Sequence, residues 1–114
     1  MGILQILKIV ALLGTIATGL YSLIRPRAVK GFTGLEMPGP RGITEVRAVL
    51  GGAFIGLGIA PFLFTVPQAC QVLGVMYLVI AAVRAVSMFI DKSVVQSNLI
   101  SLGTEVVLGI ILVV

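Results

Sequence analysis

The run QACQVLGVMYLVIAAVRAVSMFI, from Gln68 to Ile90, decides the class of fold. It carries a single charged residue, Arg84. A helix rises about 1.5 Å per residue, so a run of this length crosses the hydrocarbon layer of a bilayer, which is about 30 Å thick. Peptide groups in lipid have no water to bond, and a helix satisfies them within one segment. We therefore predict that these residues form a membrane-spanning helix.

Working outward, three further apolar stretches of similar length lie at residues 3–24, 45–66 and 95–114. Pro67 is predicted to make a tight turn between the second and third helices, and Asp91 and Lys92 mark the turn before the fourth. The sequence therefore predicts an all-α fold, an integral membrane antiparallel four-helix bundle in one domain over residues 1–114. One long basic loop, residues 25–44, connects helices one and two.

The composition supports a membrane protein and excludes most catalytic chemistries. Of the 114 residues, 59% are hydrophobic and 11% are charged, whereas soluble domains are about 25% charged. The chain has no histidine, and Cys70 is its one cysteine. Imidazole-bound haem, a histidine-containing zinc site, a Ser-His-Asp triad, a Cys-His dyad and an internal disulfide are therefore excluded. We predict no catalytic residues, no metal site and no enzyme activity; among cofactors, only a bound lipid or quinone stays open.

The long connection holds a cluster of basic residues, Arg25, Arg27, Lys30 and Arg41. We predict that they contact anionic lipid headgroups, which accounts for the net charge of +4 without nucleic acid as a partner. Glycines and prolines between residues 31 and 42 are too frequent for a regular helix, although Pro26 favours a short helical turn. By the positive-inside rule the connection is cytoplasmic and both termini lie outside, an orientation against which Lys8 argues weakly.

Two charged residues lie deep in the predicted helices, Arg84 in the third and Glu105 in the fourth. A charge in the hydrocarbon layer costs at least a few kcal/mol, so each of them needs a partner or a purpose. With the turn centred near Ser93, the two residues differ in depth by only about 5 Å, and in an antiparallel pair their side chains tilt toward each other. We therefore predict an intramembrane ion pair between Arg84 and Glu105.

Small and polar residues surround this pair at helical spacing. On the third and fourth helices they are Ser87, Asp91, Asn98, Ser101 and Gly109. Two interpretations stay open. These residues hold the helices together inside the bundle, or they line an interior that receives a ligand, an ion or a proton.

The second helix is rich in glycine. Its glycines are Gly51, Gly52, Gly56 and Gly58. They leave a surface with little side-chain bulk, on which Gly52 and Gly56 form a G-x-x-x-G motif, and this surface suits another helix or a flat ligand such as a quinone or a lipid tail. Glu45 lies near the helix start, where the helix dipole favours a negative charge, and Arg47 is predicted to pair with it or to point inward.

Three motifs together resemble a known family: EVRAVLGGAFIGLG in the second helix, RAVSMFID at the end of the third and SLGTEVVLGI in the fourth. The family comprises small bacterial four-helix membrane proteins, is catalogued as domain of unknown function four-three-four-five, and is loosely similar to the DoxX-like group. The resemblance covers nearly the whole chain from Pro26 onward. The residues that carry it, in order, are Glu45, Arg47, Gly51, Gly52, Arg84, Ser87, Asp91 and Glu105. It implies a multi-pass protein of the bacterial cell membrane and no particular activity.

Three classes of function fit these features. We favour a structural or accessory subunit, or a self-associating bundle, whose partners are membrane lipids and either further copies of itself or a larger membrane complex. A small transporter or channel would use Arg84 and Glu105, although an arginine beside the carboxylate works against proton coupling. A lipid- or quinone-binding protein would use the polar interior or the glycine surface.

Overall fold

The computed structural model describes residues 2–114, and within this range the chain is all-helical and contains no strand. Its helices are α1 (Ile3–Ile24), α2 (Lys30–Thr33), α3 (Pro40–Leu63), α4 (Pro67–Ile90) and α5 (Gln96–Val113). Four of these described helices, α1, α3, α4 and α5, are long and apolar enough to cross a membrane. The prediction of an all-α chain with four potential membrane spans is therefore confirmed.

Prolines set the ends of α3 and α4, and they move two boundaries from the predicted positions. Pro40 is the first residue of α3, which therefore begins there rather than at residue 45. A proline suits this position because its backbone nitrogen has no hydrogen to leave unbonded. Pro67 likewise begins α4 instead of lying in the turn, and Val66 before it is extended. A residue that precedes proline avoids the helical conformation, so Val66 does not belong to α3. The helix ends at Leu63, and Phe64 after it is already extended.

The connection between α1 and α3 is shorter and more ordered than predicted. A 3₁₀ turn over Pro26–Val29 leads directly into α2, and the side chain of Val29 is fully buried. Gly34 ends α2 with a φ of 76°, a left-handed conformation that glycine adopts without steric cost. The helical turn expected at Pro26 is therefore present.

The middle of α3 is a π-helix. Its residues Val46–Ala53 take the wider π-helical turn, between α-helical segments on either side. The stretch includes Gly51, which is buried, and Arg47, which is exposed. π-Helical turns are rare and frequently occur at functional sites. No pattern in the sequence predicted this one.

The chain divides into two compact units. One unit is Leu12–Thr65, and the other combines Val66–Val114 with the first residues of α1, up to Ala11. In the unit Leu12–Thr65, α1 and α3 run antiparallel, with Gly19 opposite Gly51 and with Leu12 opposite Gly58. In the other unit, α4 and α5 form an antiparallel hairpin in which Gly74 lies against Gly109.

Candidate functional site

An ion pair joins α4 to α5. The Nε of Arg84 donates to Oε1 of Glu105 at 2.8 Å, and its Nη2 donates to Oε2 at 2.7 Å. Arg84 therefore binds both carboxylate oxygens at once, which is the geometry in which arginine holds a carboxylate most firmly. The side chain of Glu105 is 12% exposed and that of Arg84 is 30% exposed. The structure thus places the two residues in the contact that the sequence predicted.

Asn98 extends this ion pair to the turn between the two helices. Its Oδ1 accepts from Nη1 of Arg84 at 2.9 Å, and its Nδ2 donates to the backbone carbonyl of Ser93 at 2.9 Å. This carbonyl also accepts from the backbone N–H of Val95 at 2.8 Å, so Asn98 adds a second hydrogen bond to the turn. One network of hydrogen bonds therefore connects Glu105, Arg84, Asn98 and the turn. We call these three side chains the brace.

The brace leaves part of the arginine unused. A guanidinium carries five N–H donors in a fixed plane, and three of those of Arg84 make the hydrogen bonds described above. The other two donors have no hydrogen bond in the described residues. Arg84 also lines a groove of about 430 Å³, together with Asn98, Val79, Val83, Ser87 and Asp91. The surface of the groove is mainly apolar.

The structure brings only some of the predicted site residues together. Ser87 and Asp91 line the groove, and Asp91 is exposed at the end of α4. Ser101 lies elsewhere on α5 and does not line the groove. Glu45 and Arg47 belong to the other compact unit, Leu12–Thr65.

The predicted pairing of Glu45 with Arg47 is wrong. Glu45 forms its ion pair with Arg41, which lies one helical turn earlier in α3. This contact exists because α3 begins at Pro40, so that Arg41 is part of the helix rather than of a loop. Arg47 points to the surface instead of inward, and it has no ion pair in the described residues.

The basic cluster of the connection also divides into two groups. Lys30 pairs with Glu36, and Arg41 pairs with Glu45. Arg25 and Arg27 are exposed, and no carboxylate in the described part of the chain contacts them. The four residues predicted to contact lipid headgroups are therefore not equivalent.

The glycines have two different surroundings. A Cβ added to Gly58 would lie 2.6 Å from Ile16, and one added to Gly109 would lie 2.6 Å from Leu78. Gly51 is similarly enclosed, whereas a Cβ on Gly56 would meet nothing within 4 Å and one on Gly52 only its own helix, at 4.0 Å. Gly51, Gly58 and Gly109 pack closely within their hairpins, and the Gly52 and Gly56 face does not.

The sequence reasoning missed two glycines that pack equally closely. A Cβ on Gly19 would lie 2.7 Å from the backbone oxygen of Gly51, and one on Gly74 would lie 3.0 Å from that of Gly109. A signal was present, because each glycine follows a small residue by four positions, Thr15 in α1 and Cys70 in α4. Small residues at this spacing allow helices to approach in membranes.

Comparison with known proteins gives one match. A family model with the description "Domain of unknown function (DUF4345)" matches residues 3–114, which include both hairpins and the brace. No curated protein and no solved structure matches the chain.

Proposed function

Since this chain belongs to the DUF4345 family, whose description assigns no activity, we propose a function from its own geometry: a small structural or accessory protein of the membrane that associates with itself. In this proposal the four spans form an antiparallel bundle in a bacterial cell membrane. The connection with its surplus of basic residues lies on the cytoplasmic side, and both termini lie outside.

The observation that carries the proposal is the complete engagement of Glu105. It is the one acidic residue within α4 and α5, and both of its oxygens accept hydrogen bonds from Arg84. A transporter would need this carboxylate to exchange its partner for a proton or a cation. Held in two hydrogen bonds by a guanidinium, it instead connects two helices, so the geometry favours a bracing role over a transport role.

The surface proposed for self-association is the face of α3 that carries Gly52 and Gly56. Both glycines are exposed, and no side chain of the unit Leu12–Thr65 fills the space beside Gly56. Association of helices in lipid depends on close packing, for which two glycines four residues apart are well suited. We therefore propose that α3 of a second copy packs on this face.

Substitution of Gly56 by isoleucine tests this interface. We expect Gly56→Ile to lower the dimer association constant at least about tenfold, because a branched side chain separates two helices that must approach closely. The measurement is sedimentation equilibrium in a neutral detergent. Gly103→Ile is the matched control, since Gly103 is also an exposed helical glycine with nothing within 4 Å of its added Cβ. A monomeric wild-type protein, or equal losses in the two variants, would rule out this face.

A second candidate function comes from the groove beside the brace, which suits an apolar molecule with a carbonyl group, such as a quinone. Arg84, which has two N–H donors that the brace does not use, lines this groove with Ser87, and the groove surface is mainly apolar. The charge of Arg84 is already balanced by Glu105, so a neutral acceptor fits better than an anion. The volume of about 430 Å³ lies in the range of small-molecule sites.

Filling the groove tests this candidate. Val83 lines the groove and Val86 does not, although both lie on α4 and both are 60% exposed. We expect Val83→Trp to weaken the binding of a short-chain benzoquinone at least about tenfold by occupying its space, while Val86→Trp leaves the dissociation constant unchanged. Calorimetric titration in neutral detergent measures both. Absence of quinone binding to the wild type, or equal effects of the two tryptophans, would exclude the groove as a quinone site.

A further inference from the structure

Three arginines carry the uncompensated charge of the unit Leu12–Thr65. This unit has five basic and two acidic residues, which leaves a net charge of +3. Both acids are held in the ion pairs described above, one with a lysine and one with an arginine. The remaining basic residues are Arg25, Arg27 and Arg47, and none has an ion pair or a side-chain hydrogen bond in the described residues.

These three arginines line one surface depression of about 380 Å³. All three are exposed, and no acidic residue lines the depression. Its apolar lining includes Pro26, which is buried, and Ile43, which is half-buried. The depression thus combines three unopposed positive charges with an apolar surface.

The depression lies at one end of the α1 and α3 hairpin. Arg25 directly follows the last residue of the α1 span, and Arg47 lies in the second turn of α3. Leu23 of α1 lies opposite Gly51 of α3, so the two arginines are at the same level of the hairpin. If α1 and α3 cross a bilayer, this level is that of the lipid headgroups.

We propose that Arg25, Arg27 and Arg47 form a binding site for the phosphate headgroup of an anionic phospholipid. Guanidinium groups bind phosphate oxygens through paired hydrogen bonds, and three of them without a competing carboxylate form a strongly attractive site. The apolar lining accommodates the first carbons of the lipid. This site is independent of the bracing role proposed above and rests on different residues.

The structure therefore changes which basic residues contact lipid specifically. Lys30 and Arg41 belong to the predicted headgroup cluster, but each is neutralised by its own carboxylate. Arg47, which was predicted to pair with Glu45 or to point inward, lines the depression instead. The difference between paired and unpaired cations supplies a control for the experiment.

The test measures dissociation constants of the full-length protein in neutral detergent at about 150 mM salt, where long-range attraction is screened beyond about 8 Å. The ligands are a short-chain phosphatidylglycerol, the corresponding phosphatidylcholine and inorganic phosphate. We expect Arg25→Gln with Arg47→Gln to weaken phosphatidylglycerol binding about 25-fold, since each basic residue at a membrane surface contributes roughly a factor of five.

The double variant Lys30→Gln with Arg41→Gln removes the same formal charge from ion-paired residues, and we expect it to weaken binding less than about threefold. Equal losses in the two double variants would overturn the site, because net charge alone would then explain the attraction. Inorganic phosphate or phosphatidylcholine binding as tightly as phosphatidylglycerol would overturn an anionic lipid as its occupant. If the first double variant loses helix content, Arg27→Gln alone gives the same test, with about a fivefold loss expected.

Discussion

Replacing Arg84 with methionine is expected to lower the free energy of unfolding by about 3 kcal/mol. The substitution keeps much of the apolar length of the side chain but removes every hydrogen bond that Glu105 and Asn98 receive from the guanidinium. Removing one partner of a buried ion pair costs roughly 3–5 kcal/mol, and the lower value applies because the Arg84 side chain is 30% exposed. Titration with SDS in mixed micelles, followed by circular dichroism, measures the change.

The same substitution at Arg47 is the control, since that arginine is exposed and unpaired. We expect Arg47→Met to change the free energy of unfolding by less than about 0.5 kcal/mol. The double variant Arg84→Met with Glu105→Met removes both charges and should recover most of the stability that either single variant loses. Additive losses in the double variant would mean that the two residues do not act as a pair, and the bracing role would then be wrong.

Substituting Gly19 by alanine is expected to destabilise the α1 and α3 hairpin by about 2 kcal/mol. The new methyl group would lie 2.7 Å from the backbone oxygen of Gly51 and 2.9 Å from the backbone nitrogen of Ile55. Backbone atoms cannot move aside by a rotamer change, so the two helices must separate, and overpacking of this kind costs roughly 1–3 kcal/mol. The same SDS titration measures the loss.

Gly14 provides a matched control five residues earlier in α1. Nothing lies within 4 Å of its added Cβ, so Gly14→Ala gains helix propensity without a clash. We expect Gly14→Ala to leave stability unchanged or to raise it by up to about 1 kcal/mol. If Gly19→Ala behaved like Gly14→Ala, the close crossing of the two helices would not exist in the membrane.

The sequence predicted the spans and the ion pair of Arg84 with Glu105 because both follow from strong energetic terms. Burying an unpaired charge in lipid is costly, and only Arg84 and Glu105 lie deep enough to need each other. The length of each apolar run then fixes the depths of these two residues in the bilayer, so the ion pair could be inferred from the sequence. Asn98 was recognised as part of the same polar face, but its bond to the carbonyl of Ser93 depends on the conformation of the turn.

The connection could not be predicted to the same degree because its contacts involve smaller energies. Its glycines and prolines indicated a broken segment, yet Pro40 begins a helix there and brings Arg41 next to Glu45. Exposed ion pairs of this kind are worth at most about 1 kcal/mol, so composition alone does not select among partners. The identity of the unpaired arginines therefore emerged only from the structure.

The glycines show a second limit on what the sequence can predict, which concerns helix packing. A G-x-x-x-G motif identifies a surface on which helices can approach, but the rotation of the helix decides whether that surface is used within the fold. Residues seven apart are separated by almost two full helical turns and share one face of a helix. Gly51 and Gly58 have this spacing and face α1, whereas the motif residues Gly52 and Gly56 lie on another side of α3 and do not.

The brace also has a consequence for biosynthesis. Arg84 precedes Glu105 by 21 residues, so the arginine of α4 is translated before the carboxylate that balances its charge. An unpaired arginine opposes the insertion of a lone helix, by roughly 2.5–3.5 kcal/mol at the centre of the helix and by less toward its ends, and Arg84 lies six residues before the end of α4. Glu105 is translated only after the turn at Asp91 and the first half of α5. The lowest-energy route into the lipid is therefore the joint entry of α4 and α5 as one hairpin, with the charge already neutralised.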